Sequence, residues 1–267
     1  MPTTPTCGRI APAGMMVRMS SLADLHAVVE AFAHEAAGTD PEAPVRSSIW
    51  PTVGRIVDHL GTIQRWAAEQ VRTGAPADRR AFRRPEGADP AAWFREGAQQ
   101  LTRTLDGADP ERSVPILYGA TGTVSFWQRR MAHEATKHLW DLRSARDPDP
   151  RFPPEVGAVG RADAIDEFGD VFMAEARRRG IQHLARAVAL VATDTADSWR
   201  VSPKWVLDRD RRVAASAPPA AATISAEVGD LALLLWERAD LAAPDGRFRV
   251  DGEPGVATAL ATTPVHL

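Results

Sequence analysis

A chain of 267 residues is long enough for one large domain or two modest ones, and 44% hydrophobic with 25% charged residues is the mix of a folded globular protein, which excludes the disordered, collagen-like and membrane-spanning classes. The net charge of −3, from 32 basic and 35 acidic side chains, argues against nucleic acid or an anionic membrane as partner and for a small molecule or a protein instead. Cys7 is the only cysteine, so no internal disulfide can form and any metal must be held by His, Asp or Glu.

Residues 1–19 hold no apolar stretch of signal-peptide length and are broken by Gly and Pro. They read as a disordered tail on a cytoplasmic protein, in which Met15, Met16 or Met19 could be the start. Of the basic residues only Lys137 and Lys204 are lysines, and the accompanying wealth of Arg, Ala, Gly and Pro reads as the coding bias of a high-GC genome.

From Ser20 the pattern is helical: Ser21 and Asp24 suggest a capping box before Leu22, Leu25, Val29, Phe32 and Ala36. A second helix begins near Pro51-Thr52, with Val53, Ile56, Leu60, Ile63, Ala67 and Val71 in one stripe that ends before Gly74. Residues 75–88, rich in Pro, Arg and Gly, read as loop. Asp89-Pro90 then opens a third helix carrying Trp93, Phe94, Ala98, Leu101 and Leu105. Residues 109–122 form a loop before a fourth helix running from about Thr123 to Arg146.

The proline-rich stretch 147–154 marks a domain boundary. Four amphipathic helices in 20–146 imply an antiparallel bundle, and 155–267 reads as a smaller α+β domain. That second domain opens with a helix through Ala158, Ala162, Ile165, Phe168 and Phe172. Strand-like segments follow at 187–192, 199–201, 223–226 and 248–250, with an apolar helix from Leu231 to Arg238.

The stretch most able to carry chemistry is Trp127-Gln-Arg-Arg-Met-Ala-His133-Glu134-Ala-Thr-Lys-His138-Leu-Trp-Asp141. His133 and His138 are five apart, about 140° around a helix, so they do not share a face as the histidines of an HExxH zinc helix do. Glu134 and His138, four apart, do share one, which Trp127, Met131, Asp141 and Ala145 extend. Buried together they would need a reason such as metal ligation, because an unpaired buried charge costs several kcal/mol; exposed, they would be an ordinary polar pair. Of the seven histidines, His59 on helix two is the best further ligand, although a hydrogen-bonded boundary histidine would look the same. His133 reads as a surface residue or as one that supports a ligand from behind, and Arg129-Arg130 and Arg177-Arg178-Arg179 read as solvated helix faces or partners of a helix C-terminal dipole.

The run Trp50-Pro-Thr-Val-Gly-Arg-Ile-Val-Asp-His59-Leu60-Gly61, then Trp66, then Arg130-x-x-His133-Glu134-x-x-x-His138-x-x-Asp141, resembles the mycothiol-dependent maleylpyruvate isomerase family of the DinB-like superfamily. Asp166-Glu167-Phe168 and Leu233-Leu-Leu-Trp-Glu-Arg238 resemble motifs of its second domain, with Glu237 standing where the family commonly has Gly. The resemblance implies a DinB-like four-helix bundle holding zinc, or another divalent ion, through His59, Glu134 and His138, with mycothiol as the thiol cofactor. It implies an actinobacterial enzyme, an isomerase or S-transferase that adds an activated thiolate to a small electrophilic, anionic metabolite. Arg238 would face the site and hold an acidic group of the substrate, the other reading being a helix-end arginine that pairs with Asp240 or the dipole; Asp141 would orient a histidine ligand or the adjacent helix, or cap a surface network. A thiol-independent biosynthetic enzyme and a non-catalytic metal- or ligand-binding module remain the competing readings, and oligomeric state has no readable signal.

Overall fold

The computed structural model describes residues 13–47, 49–210 and 219–265. The first helix, α1 (Ala13–Ala37), begins upstream of Ser20, so the expected tail is helical from Ala13 onward; residues 1–12 lie outside the described residues, as does His266. The Ser21/Asp24 pair lies inside α1 and does not cap it. Asp24 faces the second half of the chain, where the Gly157 N–H points at its Oδ1 from 3.5 Å. A side chain that satisfies a distant backbone group looks, in sequence, like one that starts a helix.

Helix α2 (Val53–Thr73) is capped by Thr52, whose side chain accepts from Arg55 N, and closed by Gly74 in the left-handed region at φ 68°. Helix α3 (Pro90–Asp106) starts as expected, with Asp89 accepting from Ala92 N at 2.7 Å and Pro90 in the first turn. The loop before α4 (Val124–Arg143) contains a small hairpin, β1 (Ser113–Pro115) with β2 (Thr121–Thr123), whose turn holds Tyr118 at φ 58°. Helix α1 packs on α4 and α3, and α2 packs on α3 and α4. Almost every side chain of α4 from Trp127 to Leu142 is buried, which makes it the central helix of the bundle.

Indole N–H groups pin the connections down. Trp66 donates to Ala77 O (2.8 Å), Trp127 to Pro115 O (2.8 Å) and Trp140 to Pro150 O in the 147–154 stretch (2.7 Å). Helix α5 (Ala158–Phe168) continues through a wider π turn (Gly169–Met173) into α6 (Ala174–Arg179). At Gly169 a Cβ would stand 2.8 Å from Leu207 Cβ, so the turn lies flush against the sheet.

That sheet has the order β5-β4-β3-β6-β7, built from β3 (Val188–Ala192), β4 (Ser198–Val201), β5 (Leu207–Asp210), β6 (Ala222–Ala226) and β7 (Arg249–Gly252). The central pair β3 and β6 is parallel, with Leu190 beside Ile224, and the other pairs are antiparallel. Strand β5, Leu207-Asp-Arg-Asp, is not among the expected strands; it is an edge strand, and its polar run carries no strand periodicity. Helices α7 (Val228–Leu235) and α8 (Pro254–Thr262) pack on the sheet and α7 also packs on α5, which in turn packs on α1 and α4 and so joins the two halves. The apolar helix expected to reach Arg238 ends at Leu235, and Glu237 takes a left-handed φ of 58°. A glycine would hold that backbone without steric cost. Among the described residues no helix is long and apolar enough to cross a membrane.

The α2–α3 contact has no slack: a Cβ on Gly61 would fall 2.3 Å from Trp93 Cζ3. Gly61→Ala should destabilise the protein by about 1–3 kcal/mol, read as a lower urea midpoint at unchanged m. An unchanged midpoint would show that Trp93 swings aside freely.

Candidate metal centre

The residues that converge at the bundle centre come from α2 and α4. On α4, Arg130, Glu134 and His138 succeed one another at four-residue steps and so line one face, with Lys137 and Asp141 flanking it. His59 approaches from α2, its ring stacked on Trp50 (4.3 Å between centroids, 21° between planes) and edge-on to His138 (4.8 Å).

The two oxygens of Glu134 are divided between two tasks. Oε1 faces His59 Nε2 at 3.0 Å and His138 Nε2 at 3.2 Å. Oε2 accepts from Arg130 and lies 3.3 Å from Lys137 Nζ. One ligand atom from each of His59, Glu134 and His138 lies within 4.8 Å of the others. Two imidazoles and a carboxylate from facing helices are the donor set of an open divalent site, and three protein ligands leave a position for a further molecule. His138 presents Nδ1 to Asp141 Oδ2 at 2.9 Å. A proton held on Nδ1 by Asp141 would leave the Nε2 lone pair for an ion at the centre.

The charges suit ligation. Burial pushes the His59 imidazole down to about 4, against the opposing pull of Glu134, so the ring is neutral at neutral pH. Burial alone would raise the Glu134 carboxyl, but Lys137, Arg130 and His138 hold it well below the usual carboxylate range. Asp141 is likewise held low despite burial, by the hydrogen bond from His138 and by Arg238. Burial lowers the Lys137 amine, more than Glu134 raises it.

Arg238 sits on Asp141: Nε donates to Oδ1 and Nη2 to Oδ2, both at 2.9 Å, while Nη1 donates to Trp236 O at 2.8 Å. Its fork is thus occupied by a protein carboxylate where the sequence suggested a substrate group. It also borders a cavity of about 530 Å³ that includes Arg46 and Glu237 and shares no lining residue with the cavity beside His59. The latter, also about 530 Å³, opens between α2 and the 79–84 segment.

Three surface readings are corrected. His133 is no surface residue: at 3% exposure it faces Asp163 Oδ2 at 2.8 Å. Arg130, read as solvated, is 4% exposed and spans Glu134 and Glu167. Its neighbour Arg129 reaches Asp163 and Asp170. All three were misjudged because α5 covers that side of α4, and carboxylates on α5 and the turn after it receive them. The four-residue step from Arg130 to Glu134 was visible in the sequence and could have flagged it. The Arg177–Arg179 run, by contrast, is exposed at the end of α6.

Residues 22–143 match the family model described as mycothiol maleylpyruvate isomerase N-terminal domain. The resemblance carried by His59, Glu134 and His138 thus extends over the helical half of the chain. Two solved structures, the mycothiol-dependent maleylpyruvate isomerase and a histidine-to-alanine mutant of it, superpose with a TM-score of 0.62 at 12% identity, over 88% of this chain and 94% of theirs. At that identity the likeness is one of fold, and it spans both the helical part and the sheet. No curated protein matches the chain.

In the metal-free protein His59 takes up a proton at about 4 when folded but near the ordinary 6.5 when unfolded. Above the unfolded value the protonation of His59 makes no difference to stability. As pH falls from 6.5 towards 4 the unfolded chain gains the proton first, so stability should drop by roughly 3 kcal/mol. Denaturation of His59→Gln across this window should remove most of that slope. Asp141→Asn should weaken divalent-metal affinity by about ten- to a hundredfold, with Arg238→Gln acting in the same direction, in a competitive chelator titration. Unchanged affinity in both would mean that the pair only ties the two halves together.

Proposed function

We propose that this cytoplasmic chain is a zinc-dependent enzyme that uses mycothiol, as an isomerase or S-transferase, on a small electrophilic and anionic metabolite. The observation that carries the reading is the meeting of His59 Nε2 and His138 Nε2 on Glu134 Oε1, within a segment that matches the family model. The donor set fits a divalent ion held by His59, Glu134 and His138. Bound there, the ion would keep a thiol ligand as thiolate at neutral pH, where a free thiol with a pKa of about 8.5 is mostly protonated.

The chain's own groups prepare that site. His59 is neutral and Glu134 ionised, so no proton has to leave before ligation. Arg130 and Lys137 occupy Oε2, which leaves Oε1 as the single oxygen aimed at the centre. Asp141, held in turn by Arg238, fixes the ring of His138. Trp50, stacked on His59, covers one face of that ligand and limits water on the cavity side. The cavity beside His59 gives the metabolite room next to the open position.

Purified protein should carry about one divalent ion per chain, lost in His59→Ala and measured by elemental analysis. In cobalt-substituted protein, mycothiol or a simple thiol should shift the visible absorption. A protein without stoichiometric metal would sink the reading; metal with a spectrum indifferent to thiols would leave a metal enzyme that works without one.

A further inference from the structure

The cavity beside His59 has an unusual charge. Its wall includes Arg55, Arg79, Arg80, Arg83 and Arg84, together with Asp58. Arg55 stands one turn before His59 on the same face of α2. The other four belong to the segment that follows α2, and that segment is fastened to α2 at both ends. The Trp66 indole holds Ala77 O at 2.8 Å, and Arg84 holds Asp58 Oδ1 through Nε at 2.6 Å and Ala88 O through Nη1 at 2.7 Å. Between these anchors Asp78 caps the short turn Arg79–Phe82, accepting from Arg80 N at 2.9 Å.

Asp58 is the only carboxylate in this wall among the described residues, and Arg84 already occupies it. The side chains of Arg55, Arg79, Arg80 and Arg83 have no hydrogen-bond or ion-pair partner among the described residues. Four uncompensated cations around one cavity repel each other, and an anion placed among them relieves that repulsion. Arg238 cannot take that part, since its guanidinium is taken up by Asp141 and Trp236 O.

We propose that this cavity is a subsite for a small polyanion, a molecule bearing two or more carboxylate or phosphoryl groups, which it holds beside the metal centre. The inference rests on the reading of His59, Glu134 and His138 as the reacting centre and names the chemistry of the substrate's remote end. At about 530 Å³ the cavity has the size of a small-molecule site. Because the segment that carries Arg79, Arg80 and Arg83 is anchored at Ala77 and Arg84, its backbone does not have to be ordered when the anion binds.

The test is calorimetric titration of the full chain, metal-free and metal-loaded, with acetate, tricarballylate and inorganic pyrophosphate. A polyanion should bind about tenfold or more tightly than acetate, and its affinity should fall as salt is raised. The exposed triple variant Arg79→Gln/Arg80→Gln/Arg83→Gln should lose about tenfold of that affinity. Arg95→Gln/Arg103→Gln, two exposed arginines on α3, should keep it. Preference for tricarballylate assigns carboxylates to the subsite and preference for pyrophosphate assigns phosphoryl groups; either supports it. Polyanions no tighter than acetate, a triple variant that binds as well as the parent, or a duplex oligonucleotide that outbinds both probes would overturn it. The metal-free arm separates the two readings, because arginine-dependent binding there stands even if the chain takes up no divalent ion.

Discussion

A single buried carboxylate organises this protein. Glu134 lies at 8% exposure on the central helix, where burial alone would favour its neutral form, and it remains ionised because each oxygen has its own cationic or imidazole partners. Meeting that demand creates others. Arg130, which holds Oε2, is itself buried and needs Glu167 of α5. His138, which faces Oε1, leans on Asp141, and Asp141, fully buried, needs Arg238. Each buried charge is answered by one further out, until the chain of partners reaches the second half of the molecule.

Such networks add little net stability, since desolvation offsets much of the attraction, yet removing one member leaves a charge stranded. The apolar core supplies the cohesion instead, running from Phe32 and Phe94 in the bundle through Trp127 and Trp140 to Trp199 and Leu231. The indole hydrogen bonds then hold the connecting segments in place, and that of Trp66 to Ala77 O fastens the segment that walls the cavity beside His59.

Much of this was legible in the residues. The stripe of α2, the Asp89-Pro90 start of α3 and the proline-rich stretch between α4 and α5 follow from periodicity and turn chemistry. The Glu134/His138 face follows from the four-residue spacing alone, and His59 stands out among seven histidines by its place beside the apolar stripe of α2. What escaped had a common cause. Helix α4 is enclosed on nearly every side, so its polar residues do not separate from its apolar ones by period, and nothing local announces that Arg130 and His133 are buried. Their partners, Glu167 and Asp163, lie more than a helix away in sequence. Arg238 was placed near the centre by its motif, but its occupation by Asp141 depends on tertiary docking. The β1/β2 hairpin and the β5 edge are too short and too polar for strand periodicity to register.

The Arg238–Asp141 pair also bears on the order in which the protein can mature. Asp141 leaves the ribosome nearly a hundred residues before the cation that neutralises it, so the bundle segment is complete in sequence while its centre still lacks a supporting charge. Until the second half has folded and docked, His138 rests on a carboxylate that is itself unsupported, and the cluster of His59, Glu134 and His138 cannot be held in its final geometry. The final geometry of His59, Glu134 and His138 therefore belongs to the finished chain. The bundle expressed alone is a poor guide to it.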